Sequence, residues 1–287
     1  MSLLLSLIYL FFIFFVEKYS YSLPWLIDAV VKWVLLIGGL LVFKMTNIEC
    51  KISRNSDFDI LLYVILFSIF LISFSDNKLF YSYFFLLLSF RKMHSLFNDS
   101  ETKSIVYDSG LWIGVATIFN PICSLYLLLL LYALVIFKKI SWRFFLISIF
   151  GFITPLVLFH SYLFFINKNL SVFNFSFHFN ITNYTSIQFI LPLIGISIIV
   201  LLSLFKINRN KATYSLSVKR SLNIIFSHLG LTIIILFLFT DDLNGLMLLI
   251  YPISLIISNY LNLIQKKWFK NLIFYGILMI VFIIKIL

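Results

Sequence analysis

The sequence predicts an all-α, polytopic transmembrane helical bundle of about 11 spans, with the N-terminus inside and the C-terminus outside. Three observations support this fold class. The 287 residues are 62% hydrophobic and only 11% charged, which is too little polar surface for a soluble domain. Apolar runs long enough to cross a bilayer recur along the chain. Basic residues collect in alternate connections, as they do on the cytoplasmic side of membrane proteins.

The apolar runs define the predicted spans. The first run has no basic leading region and no cleavage site, so we interpret it as a retained span and not as a signal peptide. No soluble domain fits between the runs, and residues 1–287 are therefore predicted to form a single integral membrane domain. The predicted spans are 2–16, 24–43, 59–75, 79–90, 104–119, 121–137, 144–166, 187–205, 222–240, 243–262 and 271–287.

Residues 104–137 decide the topology of the chain. Asn120-Pro121 interrupts this apolar stretch, and a proline disfavours a helical residue before it and lacks a hydrogen-bond donor. We predict a short helix pair with an outer turn at 120–121, because only two crossings keep the flanking basic clusters on one side. A re-entrant hairpin and a single kinked helix are the alternatives. Gly110 and Gly114 give the first helix a small face for close packing.

The distribution of charge is interpreted as topology and not as nucleic-acid binding. The net charge is +11, and 17 of the 22 Lys and Arg residues follow the second, fourth, sixth, eighth and tenth predicted spans. Such alternation is typical of cytoplasmic loops. The lipid bilayer is therefore the predicted partner, and no nucleic acid is predicted to bind.

Ionisable residues within spans are the first candidates for a site, because their burial in a bilayer is costly. Asp28 and Lys32 are four residues apart and share one helix face. They suggest an anion-binding or proton-handling site, with a neutralised packing pair as the alternative. His160 and the turn at Asn120 are predicted to border the same outer cavity.

A second candidate site lies in the stretch 91–103, which follows the fourth span. Arg91, Lys92 and His94 are predicted to lie just inside the membrane, where they suit lipid headgroups or phosphates. Simple anchoring by positive charge is the alternative. Nucleotide-binding, serine-hydrolase and zinc-protease motifs do not occur in the sequence. No metal site and no cofactor are predicted, and catalytic residues are not assigned.

Two resemblances extend this interpretation. The stretches "DSGLWIGVATIFNP" (108–121) and "YPISLIISNYLNLIQKKWFKNLIF" (251–274) resemble an uncharacterised polytopic inner-membrane family of Bacteroidetes. That resemblance implies a multi-pass protein of the bacterial cytoplasmic (inner) membrane, with no activity attached. Residues 110–164 are similar to the helical core of GT-C-type glycosyltransferases, whose sugar donors are polyprenyl phosphates. That resemblance implies a polyprenyl-phosphate lipid as a ligand, and it assigns no catalytic residue.

Three functional hypotheses follow. The first is a non-catalytic membrane subunit of cell-envelope or secretion machinery with a GT-C-like core, which would have fixed partners in a membrane complex. The second is a lipid-linked glycan glycosyltransferase or polymerase, and the third is a proton-coupled transporter. Whether the protein is an enzyme is left open by the sequence.

Overall fold

The computed structural model describes residues 23–50, 58–71, 77–97, 101–166, 187–239 and 243–286. The described part is all-helical, as predicted, and contains no strand. Each predicted span from 24–43 onward overlaps an α-helix in its described residues, whereas the span 2–16 lies outside the described residues. The described ranges contain ten α-helices: α1 (Leu23–Cys50), α2 (Phe58–Leu71), α3 (Asn77–Ser95), α4 (Thr102–Phe119), α5 (Tyr126–Ile136), α6 (Trp142–Phe165), α7 (Ile187–Arg209), α8 (Leu216–Phe239), α9 (Ile250–Leu263) and α10 (Lys267–Ile286).

Several helices are longer than the apolar runs that predict them. Helix α1 continues to Cys50, although its predicted span ends at residue 43. Charged residues such as Lys44 mark the end of an apolar stretch, but they are good helix formers and do not end a helix. In the described part of the chain, four helices are long and apolar enough to cross a membrane: Val30–Cys50, Trp142–Phe165, Leu216–Phe237 and Gly245–Leu263. The count of 11 spans and the orientation of the termini stay predictions.

The chain reverses direction after α4. Asn120 is extended, and its side-chain oxygen accepts a hydrogen bond from the backbone N–H of Ile122 at 3.1 Å. A short 3₁₀-helix, Pro121–Leu125, follows and leads into α5. Lys139, just beyond α5, donates a hydrogen bond to Thr102 at the start of α4, at 2.7 Å. Helices α4 and α5 therefore run in opposite directions. That their turn faces the outer side of a membrane stays a prediction.

The described helices pack as two compact units. The first unit contains α1, α2, α7, α9 and α10. Helix α9 is its centre, since every residue from Ile250 to Leu261 is buried and the helix packs against α2 and α7. Phe43 of α1 stacks on Tyr63 of α2 with ring centroids 4.6 Å apart, and it meets Tyr251 of α9 edge-on. That residues 1–287 form a single integral membrane domain stays a prediction.

The second unit contains α3, α4, α5, α6 and α8, and its closest helix contact joins α4 to α6. A methyl group added at Gly110 would lie 2.5 Å from the carbonyl oxygen of Ser148. One added at Gly114 would lie 2.5 Å from Cγ of Pro155 and still closer to the backbone oxygen of Phe152. Only glycine allows the two backbones to approach so closely. The predicted packing role of Gly110 and Gly114 is confirmed.

Large apolar side chains cover the outer faces of both units. In the second unit, Phe150 and Leu158 of α6 are 61% and 71% exposed. In the first unit, Leu201 and Phe205 of α7 are 65% and 73% exposed. Continuous apolar faces of this kind are typical of surfaces that contact lipid or another protein and not water.

Candidate functional site

An ion pair joins the end of α3 to the start of α4 in the second unit. Lys92 donates from Nζ to Oδ2 of Asp108 at 2.7 Å. One turn earlier, the hydroxyl of Ser89 donates to the carbonyl oxygen of Ser109 at 3.0 Å. The ion-paired side chains are about one third exposed, so the pair contributes roughly 1 kcal/mol or less to stability. Its main consequence is positional, because it holds the Lys92 ammonium beside the first turns of α4.

A tight turn presents two further lysines at the end of α5. The N–H of Lys139 donates to the carbonyl of Leu134, and the N–H of Lys138 donates to the carbonyl of Val135. These two bonds form a Schellman motif, which usually has glycine at the position of Lys138. Lys138 adopts a φ of 59°, an uncommon conformation for a residue with a side chain. The turn leaves Lys138 exposed and directs Lys139 to Thr102.

These contacts bring basic residues on or beside five helices to one end of the second unit. The contact between Lys139 and Thr102 joins α5 to α4, and the Lys92–Asp108 pair joins α4 to α3. Ile224 near the start of α8 packs in the apolar cluster beneath this end. We call the resulting surface the basic end. Its described cationic residues are Arg91, Lys92, Lys103, Lys138, Lys139, Arg143, Lys219 and Arg220, and its described acids are Glu101 and Asp108.

An apolar cluster supports the basic end from below. Its members come from the same helix termini as the basic residues, and all of them are buried. Because a packed core resists rearrangement, the cluster keeps the helix termini together although their charges repel. The buried members are Leu96, Ile105, Val106, Ala133, Leu134, Phe137 and Ile224.

His94 is not part of the basic end, in contrast to its predicted role at lipid headgroups. Its side chain is 2% exposed, although it lies only two residues beyond Lys92. Burial lowers the pKa of His94 to about 4, because an imidazolium is poorly solvated in an apolar core. The ring is therefore neutral at pH 7 and cannot serve as a cationic ligand for phosphate.

The other predicted site residues lie elsewhere. Asn120 is at the opposite end of α4 from Asp108, and its side chain caps the 3₁₀-helix. His160, near the far end of α6, makes a 2.8 Å hydrogen bond through Nδ1 with the carbonyl of Leu156 on its own helix. Both side chains thus have local structural partners. Their predicted place at an outer cavity stays a prediction.

Lys32 and Asp28 belong to α1 in the first unit. The side chain of Lys32 is half-buried, whereas that of Asp28 lies outside the described residues. The predicted pairing of these two residues stays a prediction. Of the six predicted site residues, Arg91 and Lys92 are the two that neighbour one another at the basic end.

Sequence reasoning did not single out Asp108, the partner of Lys92. It lies 16 residues further along the chain, so its contact depends on how α3 packs against α4. The available signal was an acidic residue near the start of a predicted span, five residues after the end of the basic stretch 91–103. In the described part of the chain, no three His, Cys, Asp or Glu side chains are close enough to hold a metal ion.

The helices and the basic end define the class: an all-helical protein with several helices able to cross a membrane and with cations concentrated at one end of a helical unit. The chain belongs to the family of unknown function DUF6427, whose model matches residues 1–287. This agrees with the predicted resemblance to an uncharacterised family. No curated protein and no solved structure matches the chain.

Proposed function

We propose that the chain is a multi-pass protein of the bacterial cytoplasmic membrane, with about 11 spans, a cytoplasmic N-terminus and an external C-terminus. The grouping of basic residues supports this topology. The predicted cytoplasmic stretches 91–103, 138–143 and 206–220 contribute cations to the basic end. The positive-inside rule requires cytoplasmic connections to lie on one side of the membrane. The cations of these three stretches lie at the same end of the second unit, as the rule requires.

The role best supported by the geometry is that of a non-catalytic membrane subunit of cell-envelope or secretion machinery, which binds a lipid phosphate at its basic end. The single observation that carries this proposal is the excess of eight described cations over two described acids at that end. A cation near an anionic membrane surface contributes about 1 kcal/mol to the attraction. The phosphate of a phospholipid and that of a polyprenyl lipid share the recognised chemistry.

A proton-coupled transporter is the second candidate. The observation that favours it is a buried carboxyl side chain, Asp59, at the start of α2. Ionisable residues buried in membrane helices frequently mark proton pathways. Glycosyl transfer from a polyprenyl phosphate rests on the resemblance of residues 110–164 to the helical core of GT-C-type glycosyltransferases, and it stays a hypothesis.

Neutralising exposed cations of the basic end is expected to weaken the selective retention of anionic lipid. The variant Lys103→Gln/Lys138→Gln/Arg143→Gln removes three exposed charges. We expect roughly 10- to 100-fold weaker binding of phosphatidylglycerol, because each cation contributes about 1 kcal/mol. The measurement uses nanodiscs that contain equal amounts of phosphatidylglycerol and phosphatidylcholine. Native mass spectrometry of the protein released from them counts the lipids of each kind that stay bound.

Lys78→Gln is the control, since Lys78 lies at the opposite end of α3 and is exposed. This control should retain phosphatidylglycerol as the wild type does, and added salt should weaken retention in both. Competition with undecaprenyl phosphate distinguishes the two lipid sources. Equal retention of phosphatidylglycerol by the triple variant and the wild type would contradict the proposal.

A further inference from the structure

A row of aromatic rings lines the contact between α3 and α4 in the second unit. Phe85 of α3 stacks on both Trp112 and Phe119 of α4, with ring centroids 5.7 Å apart in each case and the planes nearly parallel. Tyr81 continues the row, with its ring centroid 5.4 Å from that of Phe119. All four side chains are half-buried, so part of each ring belongs to the surface of the unit.

The ion pair of Lys92 and Asp108 lies at one end of this row. Phe85 and Lys92 are seven residues apart on α3, and Asp108 and Trp112 are four residues apart on α4, so each two share a helix face. A polar end and an apolar row therefore follow one another along the same contact. We call this the α3–α4 surface, and its members are Tyr81, Phe85, Lys92, Asp108, Trp112 and Phe119.

The length of the α3–α4 surface matches one leaflet of a bilayer. Asp108 and Phe119 are 11 residues apart, which corresponds to about 17 Å along α4. Half of a hydrocarbon core of about 30 Å is about 15 Å. Asp108 lies four residues inside the predicted span 104–119, so the proposed topology places the ion pair near the cytoplasmic headgroups and the rings among acyl chains.

The ion pair selects the kind of headgroup that fits. It has no net charge, and its side chains are 38% and 34% exposed. An ammonium has three donors and a carboxylate has two acceptor oxygens, and the 2.7 Å bond between Lys92 and Asp108 uses one of each. In the described part of the chain, these two side chains make no further hydrogen bond. A headgroup with both an anionic and a cationic group can therefore bind both side chains without breaking the pair.

We propose that the α3–α4 surface binds phosphatidylethanolamine. The lipid phosphate accepts from Nζ of Lys92, the lipid ammonium donates to Oδ1 of Asp108, and one acyl chain lies along the aromatic row. The four charged groups then alternate in sign. Phosphatidylcholine has the same net charge, but its quaternary ammonium has no N–H to donate. The proposal rests on the proposed placement of the chain in the membrane, and it is separate from the retention of anionic lipid by the exposed cations.

Native mass spectrometry tests the headgroup preference with the full chain in nanodiscs of equal phosphatidylethanolamine and phosphatidylcholine. We expect the wild type to retain about fivefold more phosphatidylethanolamine, the upper range for one partly exposed ion pair. Asp108→Asn should remove this preference. Glu101→Gln is the matched control, because Glu101 is an exposed carboxylate at the start of α4 outside the α3–α4 surface. This control should keep the preference.

Fluorescence quenching tests where the acyl chain lies. Trp112 is one of five tryptophans, so the difference between the wild type and Trp112→Phe isolates its emission. Phosphatidylethanolamine with brominated acyl chains should quench this emission more strongly than phosphatidylcholine brominated at the same positions. Asp108→Asn should make the two lipids quench equally.

Four results would overturn the proposal. The first is equal or greater retention of phosphatidylcholine by the wild type, which requires no variant to fold. The second is a preference that survives Asp108→Asn, and the third is a preference that Glu101→Gln removes as well. The fourth is equal quenching of Trp112 by the two brominated lipids in the wild type.

The triple variant Lys103→Gln/Lys138→Gln/Arg143→Gln separates this proposal from the proposed function. It should lose phosphatidylglycerol and keep the preference for phosphatidylethanolamine, because Lys92 and Asp108 are unchanged in it. Unaltered phosphatidylglycerol retention would contradict the proposed function alone. Loss of the preference for phosphatidylethanolamine in this variant would contradict the role of the ion pair.

Discussion

Gly114→Val is expected to destabilise the second unit by about 3 kcal/mol or more, the upper range for overpacking. The added side chain would enter the contact between α4 and α6, where Cγ of Pro155 and the backbone of Phe152 occupy its position. The backbone oxygen of Phe152 cannot rotate away as a side chain can. The two helices would have to separate, which would also loosen the buried residues Ser148 and Gly151 on α6.

Thermal unfolding in detergent micelles, followed by circular dichroism, measures this effect. Gly230→Val on α8 is the matched control, because a methyl group at Gly230 meets no atom within 4 Å. Both variants introduce the same residue into a helix, so their helix-propensity terms are alike. Equal shifts of the unfolding temperature in the two variants would mean that contact between α4 and α6 is not the source of the loss.

Tyr63→Ala is expected to destabilise the first unit by about 3–5 kcal/mol, the usual cost of removing a buried aromatic ring. Tyr63 is 1% exposed and stacks on Phe43 at 4.6 Å. Its ring also lies 6.1 Å from that of Phe67. Truncation leaves a cavity between α1 and α2 that the rigid rings around it cannot fill.

Tyr63→Phe preserves the ring and should cost far less, on the order of 1 kcal/mol for the lost hydroxyl. The comparison uses unfolding midpoints in a mixed-micelle titration with dodecyl sulfate. Tyr132→Ala serves as a second control, since Tyr132 is 45% exposed. If Tyr63→Ala and Tyr132→Ala shifted the midpoint equally, the stack with Phe43 would not be a core contact.

The helices were predictable because their signals are local. Apolar runs, the break at Asn120-Pro121 and the small face at Gly110 and Gly114 all lie within short stretches of sequence. Helix ends were less predictable, as α1 shows. A charged residue ends an apolar run, but the backbone hydrogen bonds of the helix can continue past it. The burial of His94 could not be foreseen either, since it depends on which face of α3 packs inward.

The candidate site was predictable only in part. Arg91 and Lys92 stood out because basic residues next to an apolar run generally mark the cytoplasmic end of a membrane span. The contacts of Asp108 with Lys92 and of Asp59 with Asn47 span 16 and 12 residues, and both depend on helix packing. The turn that exposes Lys138 depends on a backbone conformation with positive φ. Glycine usually marks this conformation in a sequence, but this position is a lysine.

Cysteine labelling at the two ends of α6 tests most directly the central claim that the basic end faces the cytoplasm. Helix α6 has 24 residues and is about 36 Å long, enough to cross a hydrocarbon core of about 30 Å. Ile140→Cys lies beside Lys139, and Ile166→Cys lies at the opposite end; both positions are exposed. The native Cys50 and Cys123 are buried and serve as an internal background.

A membrane-impermeant maleimide, added to cells whose outer membrane alone is permeabilised, is expected to label Ile166→Cys. Ile140→Cys should react only after the cytoplasmic membrane is opened. Labelling of Ile140→Cys from outside, or of both positions from the same side, would contradict the proposed topology and remove the basic end from the cytoplasmic leaflet.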